Sequence, residues 1–128
     1  MADKHKILII EDDLDTIDLL ETVLRTGGYE PLSGVGGVGG LRRLREAGAD
    51  LILLDLMMHD MDGWSVLRAL HADPDLRHVP VIILSVRSPL EDPERIEDCG
   101  DMFVDFVRKP FSIHDLLDRI ACVLAGDE

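Results

Sequence analysis

Three unbroken apolar runs set the rhythm of this chain: residues 7–10 (ILII), 51–54 (LILL) and 81–84 (VIIL). None carries the polar residue at every second position that a strand with one wet face shows. Each therefore reads as a parallel strand covered by helices on both sides. Two weaker candidates complete the set. Residues 29–33 form a second strand, and Pro31 inside it places it at an edge, because proline cannot donate to a ladder. Residues 103–107 form the fifth, ended by Arg108-Lys109-Pro110-Phe111.

Helical spacing fills the intervals. Leu14, Ile17, Leu20 and Leu24 mark the first helix; acids occupy its first turn, at the positive end of the helix dipole, and Gly27-Gly28 stops it. The second helix covers residues 41–47. The preceding Gly34-Val35-Gly36-Gly37-Val38-Gly39-Gly40 frays its start, at ~1 kcal/mol per glycine relative to alanine. Trp64, Leu67 and Leu70 share one side of a third helix, and Pro74 and Pro80 bound the connection after it. Pro89 and Pro93 interrupt the approach to the fourth, whose best candidate is residues 94–98. Ser112 suits the N-cap of a last helix with Leu116, Leu117, Ile120 and Leu124 as its apolar stripe. Five strands alternating with helices predict an α/β fold, a parallel sheet with helices on both faces, in a single domain spanning 1–128. Right-handed crossovers carry every strand's carboxyl end to one edge, where open α/β sheets bind ligands.

Composition narrows the function. The chain has 128 residues, 46% of them hydrophobic, which is enough for one domain with a real core. No apolar run is long enough to span a membrane. Met1-Ala2-Asp3-Lys4-His5-Lys6 leads straight into a strand without a secretory signal, so a cytoplasmic protein is expected. Cys99 and Cys122 are far apart and read as reduced packing residues. The net charge of −13 disfavours direct nucleic-acid binding and is compatible with a cation site and with partners bearing basic patches.

The sheet edge should gather Glu11, Asp12 and Asp13 from the first strand, Asp55 from the third, Ser85 from the fourth and Lys109 from the fifth. Carboxylates packed together repel, and a hard divalent cation such as Mg²⁺ resolves this with oxygen ligands and retained waters. Lys109 and Ser85 add an ammonium and a hydroxyl. Metal, ammonium and hydroxyl are the parts that hold a phosphoryl group, and an aspartate can be the nucleophile that receives it. Asp13 reads more simply as a helix N-cap, and Asp62 as a turn residue before Gly63. The five histidines include no i, i+4 pair, which argues against a histidine metal site.

Four segments in order now carry a resemblance: Ile7-Leu8-Ile9-Ile10-Glu11-Asp12-Asp13; Leu51-Ile52-Leu53-Leu54-Asp55-Leu56-Met57-Met58 with Met61-Asp62-Gly63; Val81-Ile82-Ile83-Leu84-Ser85; and Lys109-Pro110-Phe111. Together they resemble the receiver domain of two-component response regulators, over essentially the whole chain and in a single-domain form. The resemblance implies a flavodoxin-like sheet of order 2-1-3-4-5. It implies that Asp55 is the phosphoacceptor, Asp12 a direct Mg²⁺ ligand, Glu11 a ligand acting mostly through metal-bound water, and the Met57 backbone carbonyl a further ligand. It makes Ser85 the switch hydroxyl, Lys109 the partner of the phosphoryl group, Phe106 the aromatic that swings inward, and Lys109–Pro110 a candidate cis peptide. The domain would be a switch, with only its own phosphorylation and dephosphorylation chemistry, rather than a metabolic enzyme. Implied partners are a sensor histidine kinase or histidine phosphotransfer protein, and an effector that reads the face of helix four, strand five and helix five; a homodimer stays open. No effector domain follows Glu128, so the output is a separate protein or the chain is a piece of a longer one.

The sequence also departs from the family. His59-Asp60 replaces the usual Pro-Gly, and Asp60 should add negative charge near the metal; His59 is expected to be a solvated loop residue, with a role in phosphate hydrolysis as its sharper reading. Val86 stands where Ala or Gly is preferred and should narrow the approach to Asp55, slowing phosphoryl exchange relative to a Val86→Ala variant. The stretch from Gly100 to Lys109 is longer than usual, and the glycine run replaces the start of helix two. These departures motivate a second reading, a docking module that is never phosphorylated. A third comes from Gly34-Val35-Gly36-Gly37-Val38-Gly39, a formal G-x-G-x-x-G with an aspartate about twenty residues on, as in a dinucleotide-binding fragment.

Overall fold

The three unbroken runs form the three central strands of the sheet. In the computed structural model, which describes residues 4–126, the elements are β1 (Lys6–Glu11), α1 (Leu14–Thr26), β2 (Glu30–Val35), α2 (Gly36–Ala47), β3 (Leu51–Leu54) and α3 (Gly63–Ala72), followed by β4 (Val81–Ser85), α4 (Pro93–Cys99), β5 (Asp105–Arg108) and α5 (Ile113–Leu124). A single 3₁₀ turn, Pro89–Glu91, precedes α4. Residues 1–3 and 127–128, the extremes of the expected domain, lie outside the described residues.

All five strands are parallel, in the order β2-β1-β3-β4-β5. The missing alternation now has its cause. Leu8, Ile10, Ile52, Leu54, Val81 and Ile83 point into one layer of core, shared with Leu41, Leu44, Leu67 and Leu70 of α2 and α3. Ile7, Ile9, Leu51, Leu53, Ile82 and Leu84 point into the other, shared with Ile17, Leu20 and Leu24 of α1 and Leu116 and Ile120 of α5. Burying both faces removes apolar surface from water along the whole strand, at roughly 25 cal/mol per Å². Pro31 sits opposite Ile7 on the edge strand, where its missing N–H costs no ladder bond.

Three expected boundaries are corrected. β2 runs on to Val35, because β1 extends to Glu11 and offers it a partner. β5 begins at Asp105 rather than 103: Phe103 turns edge-on to Trp64, with ring centroids 6.3 Å apart, and Val104 donates its N–H to Val81 O before the strand starts. The largest change is in α2, which starts at Gly36 instead of 41. The glycines there do not fray. They let the helix lie against the sheet at a distance no side chain would permit. A Cβ on Gly40 would come within 2.6 Å of the Ile10 side chain, and one on Gly34 would fall on the Gly40 backbone. A helix seated this way leaves no open glycine loop around a pyrophosphate, so the dinucleotide reading loses its physical basis.

Candidate functional site

β1, β3 and β5 deliver their last residues to one place. Glu11 ends β1, Asp12 follows it, Asp55 follows β3, and Lys109 follows β5. One carboxylate oxygen from each of Glu11, Asp12 and Asp55 lies within 4.8 Å of the others. Lys109 Nζ donates to Glu11 Oε1 at 2.5 Å and stands 3.6 Å from Asp55 Oδ2. The cation is half-buried and the two acids it faces are buried, so these charges interact with little screening.

Glu11 is fully committed. Its Oε2 accepts the backbone N–H groups of Asp12 (3.0 Å) and Asp13 (3.2 Å), while Oε1 takes the lysine. Its pKa is nevertheless raised: burial outweighs the opposing lysine hydrogen bond, and the charge of Asp55 pushes the same way. Asp12 moves in the opposite direction. The His59 backbone N–H donates to its Oδ2 at 2.8 Å, which is the main cause of a lowered pKa. Asp55 is steadied by its own loop, with Met57 N–H donating to its Oδ1 at 3.2 Å.

Ser85 is buried at the end of β4, as expected for a residue of this edge. Its hydroxyl accepts the Arg87 N–H at 3.3 Å and its carbonyl accepts the Lys109 N–H at 2.9 Å, which joins β4 to the lysine's own backbone. Lys109–Pro110 is cis. Phe106 is half-buried against the α2–α3 side of the core, opposite Ile83. Val86 is exposed just past β4, with its carbonyl accepting from Arg108. Met57 has an exposed side chain, and its backbone N–H faces Asp55.

Asp13 caps α1 through Thr16, and Asp62 caps α3 through Ser65 N–H at 2.8 Å, so neither belongs to the acidic cluster. His59 is the solvent-exposed loop residue expected, and its ring also places Nδ1 2.6 Å from Asp12 Oδ2. One expectation for the acceptor loop is corrected. Asp60 does not add its charge to the cluster. Its carboxylate turns away and accepts the N–H groups of Gly37 (3.0 Å) and Val38 (3.1 Å), which hold its pKa down. Sequence reasoning missed this bond. Its one trace was Val35, a residue without a capping side chain at the start of α2.

The donor set suits a hard cation. Three carboxylates offer only oxygen, in a pocket whose single ammonium does not neutralise them, and Mg²⁺ favours one or two carboxylates with waters completing its shell.

A family model described as the response regulator receiver domain matches residues 7–121. The chain is similar to the transcriptional regulatory protein PrrA of Mycobacterium leprae, 37% identical over 93% of this chain and 49% of that protein. It thus spans about half the length of the curated relatives it matches. Among solved structures it is similar to the signal receiver domain of a signal transduction histidine kinase from Syntrophus aciditrophicus: 34% identity, 95% of this chain and 91% of that one, TM-score 0.85. It is also similar to the receiver domain of a sensor histidine kinase from Pseudomonas aeruginosa PAO1, solved with a magnesium ion coordinated in its active-site cleft: 29% identity, 97% and 99% coverage, TM-score 0.83.

Proposed function

The chain belongs to the response regulator receiver domain family, and we propose that Asp55 is its phosphoacceptor. The donor is a histidine kinase or a histidine phosphotransfer protein, and the cation is Mg²⁺ held by Asp12, Asp55 and the Met57 carbonyl. Glu11 acts through water, because both of its oxygens already serve backbone N–H groups and Lys109. The observation that carries this reading is the meeting of Glu11, Asp12 and Asp55 within 4.8 Å, with the Lys109 ammonium beside two of them. The magnesium bound by the similar Pseudomonas domain supports the choice of ion.

When bound, Mg²⁺ would draw charge from the oxygens of the transferring phosphoryl group. The chain's own groups do the rest. An oxygen of Asp55 attacks phosphorus in line as the bond to the donor breaks, and the leaving group departs with its electron pair. Lys109 is positioned to follow the new charge, since a small shift from Glu11 brings its ammonium onto a phosphoryl oxygen. The Ser85 hydroxyl is held by a long bond to Arg87 N–H and is free to turn toward the same group. Its movement vacates space on the β4–β5 side, where half-buried Phe106 can follow. The face of α4, β5 and α5 then changes shape for an effector to read.

The test is intact mass after incubation with Mg²⁺ and acetyl phosphate. Wild type should gain one phosphoryl group; Asp55→Asn, or wild type with a chelator, should gain none. The grip of His59 on Asp12 favours the second reading, a docking module never phosphorylated, and an unmodified wild type in this experiment would select it.

A further inference from the structure

The acceptor loop is tied down at nearly every step. Met57 N–H binds Asp55, His59 N–H binds Asp12, and Gly63 N–H binds Leu56 O. Met61 packs over Gly37 of α2, and Asp60 adds hydrogen bonds from the loop to that helix. α2 needs such a visitor: Val35 at its N-cap has no capping side chain, and no acid lies in its first turn. Its free N–H groups and positive dipole end would otherwise face water. The backbone is shaped for the contact. Gly36 has φ +77°, and a Cβ there would come within 2.7 to 2.9 Å of the Asp60 carboxylate atoms. Both carboxylate oxygens are used, one for Gly37 and one for Val38, which fixes orientation as well as distance.

We infer that Asp60 is a positioning residue for the Mg²⁺ site: it clamps the loop carrying Met57 and His59 to the start of α2 and so fixes the cation's ligands without touching the cation. The inference rests on the metal reading above. Loss of the clamp leaves the bonds within the loop but removes its hydrogen-bonded anchor on α2, and so loosens the Met57 carbonyl and the His59 N–H that orients Asp12. Outer contacts of this kind commonly set metal affinity by a factor of about ten or more.

Calorimetric Mg²⁺ titration and urea unfolding of wild type, Asp60→Ala, Asp60→Asn and the double variant Asp60→Ala/Val35→Ser test this. Asp60→Ala should weaken Mg²⁺ binding about tenfold. Asp60→Asn, which keeps an amide oxygen for one of the two N–H groups, should lose less than about a third of that effect on a logarithmic scale. The serine at exposed, extended Val35 gives α2 a cap of its own and should restore stability, leaving Mg²⁺ affinity as weak as in Asp60→Ala. Should Asp60→Ala alone not fold, the double variant carries the comparison. An unchanged affinity in Asp60→Ala, an Asn variant as weak as the Ala variant, or recovery of affinity together with stability would each overturn the clamp. A wild type that takes up no Mg²⁺ would sink the metal reading, and the clamp with it.

Discussion

The N-terminal ends of α1 and α2 both follow a strand's carboxyl end at the functional edge, on opposite faces of the sheet, and are built by opposite means. α1 carries its own start signal. Asp13 lies three residues before Thr16 and accepts both its N–H (3.2 Å) and its hydroxyl (2.5 Å). α2 has no local signal. It begins in glycines, and its first N–H groups are satisfied by Asp60, which lies beyond the next strand. α1 therefore depends on its own sequence, whereas α2 depends on the sheet beneath it and the loop beside it. Two helices of nearly equal length can thus owe their beginnings to quite different distances along the chain.

Substitutions can push on this difference. The largest effect is expected at Gly34, where β2 backs directly onto the Gly39–Gly40 backbone of α2. Gly34→Ala forces strand and helix apart and should cost about 3 kcal/mol in urea unfolding, the upper range for overpacking. A cost below about 1 kcal/mol would show that α2 is not seated by close backbone approach. Next comes Asp13→Ala, which removes a purely local cap and should cost about 1 kcal/mol. Because that cap stands apart from the acidic cluster, Mg²⁺ affinity should stay at the wild-type value; a large drop would mean that the two helix ends are not as separate as described. The smallest effect has the opposite sign. A Cβ on Gly39 meets nothing closer than 3.8 Å, so Gly39→Ala should stabilise the protein by roughly 0.5–1 kcal/mol through helix propensity alone. Gly34 and Gly39 then separate a steric requirement from a mere tolerance within one glycine run, and destabilisation by Gly39→Ala would erase that distinction.

The acidic pocket shows the same division at closer range. Glu11 and Asp12 are neighbours in the chain, yet burial raises the pKa of one while a hydrogen bond from a distant loop lowers that of the other. Nothing in the pair Glu11-Asp12 announces this difference. What their place after an apolar run does announce is that both stand at a strand's carboxyl end, and the same reasoning brought Asp55, Ser85 and Lys109 to that edge.

Residues 7–10, 51–54 and 81–84 were legible because unbroken apolar strands have one stable environment, the middle of a sheet covered on both faces, and parallel crossovers then leave one edge for the chemistry. The caps at Asp13 and Ser112 were legible because a capping bond closes within three residues. The tertiary structure alone decided the start of α2, the turn of Asp60 away from the cluster, and the hold of His59 on Asp12. Each of these is a bond or close contact between segments more than twenty residues apart, and local propensity carries no information about a partner that only folding brings near.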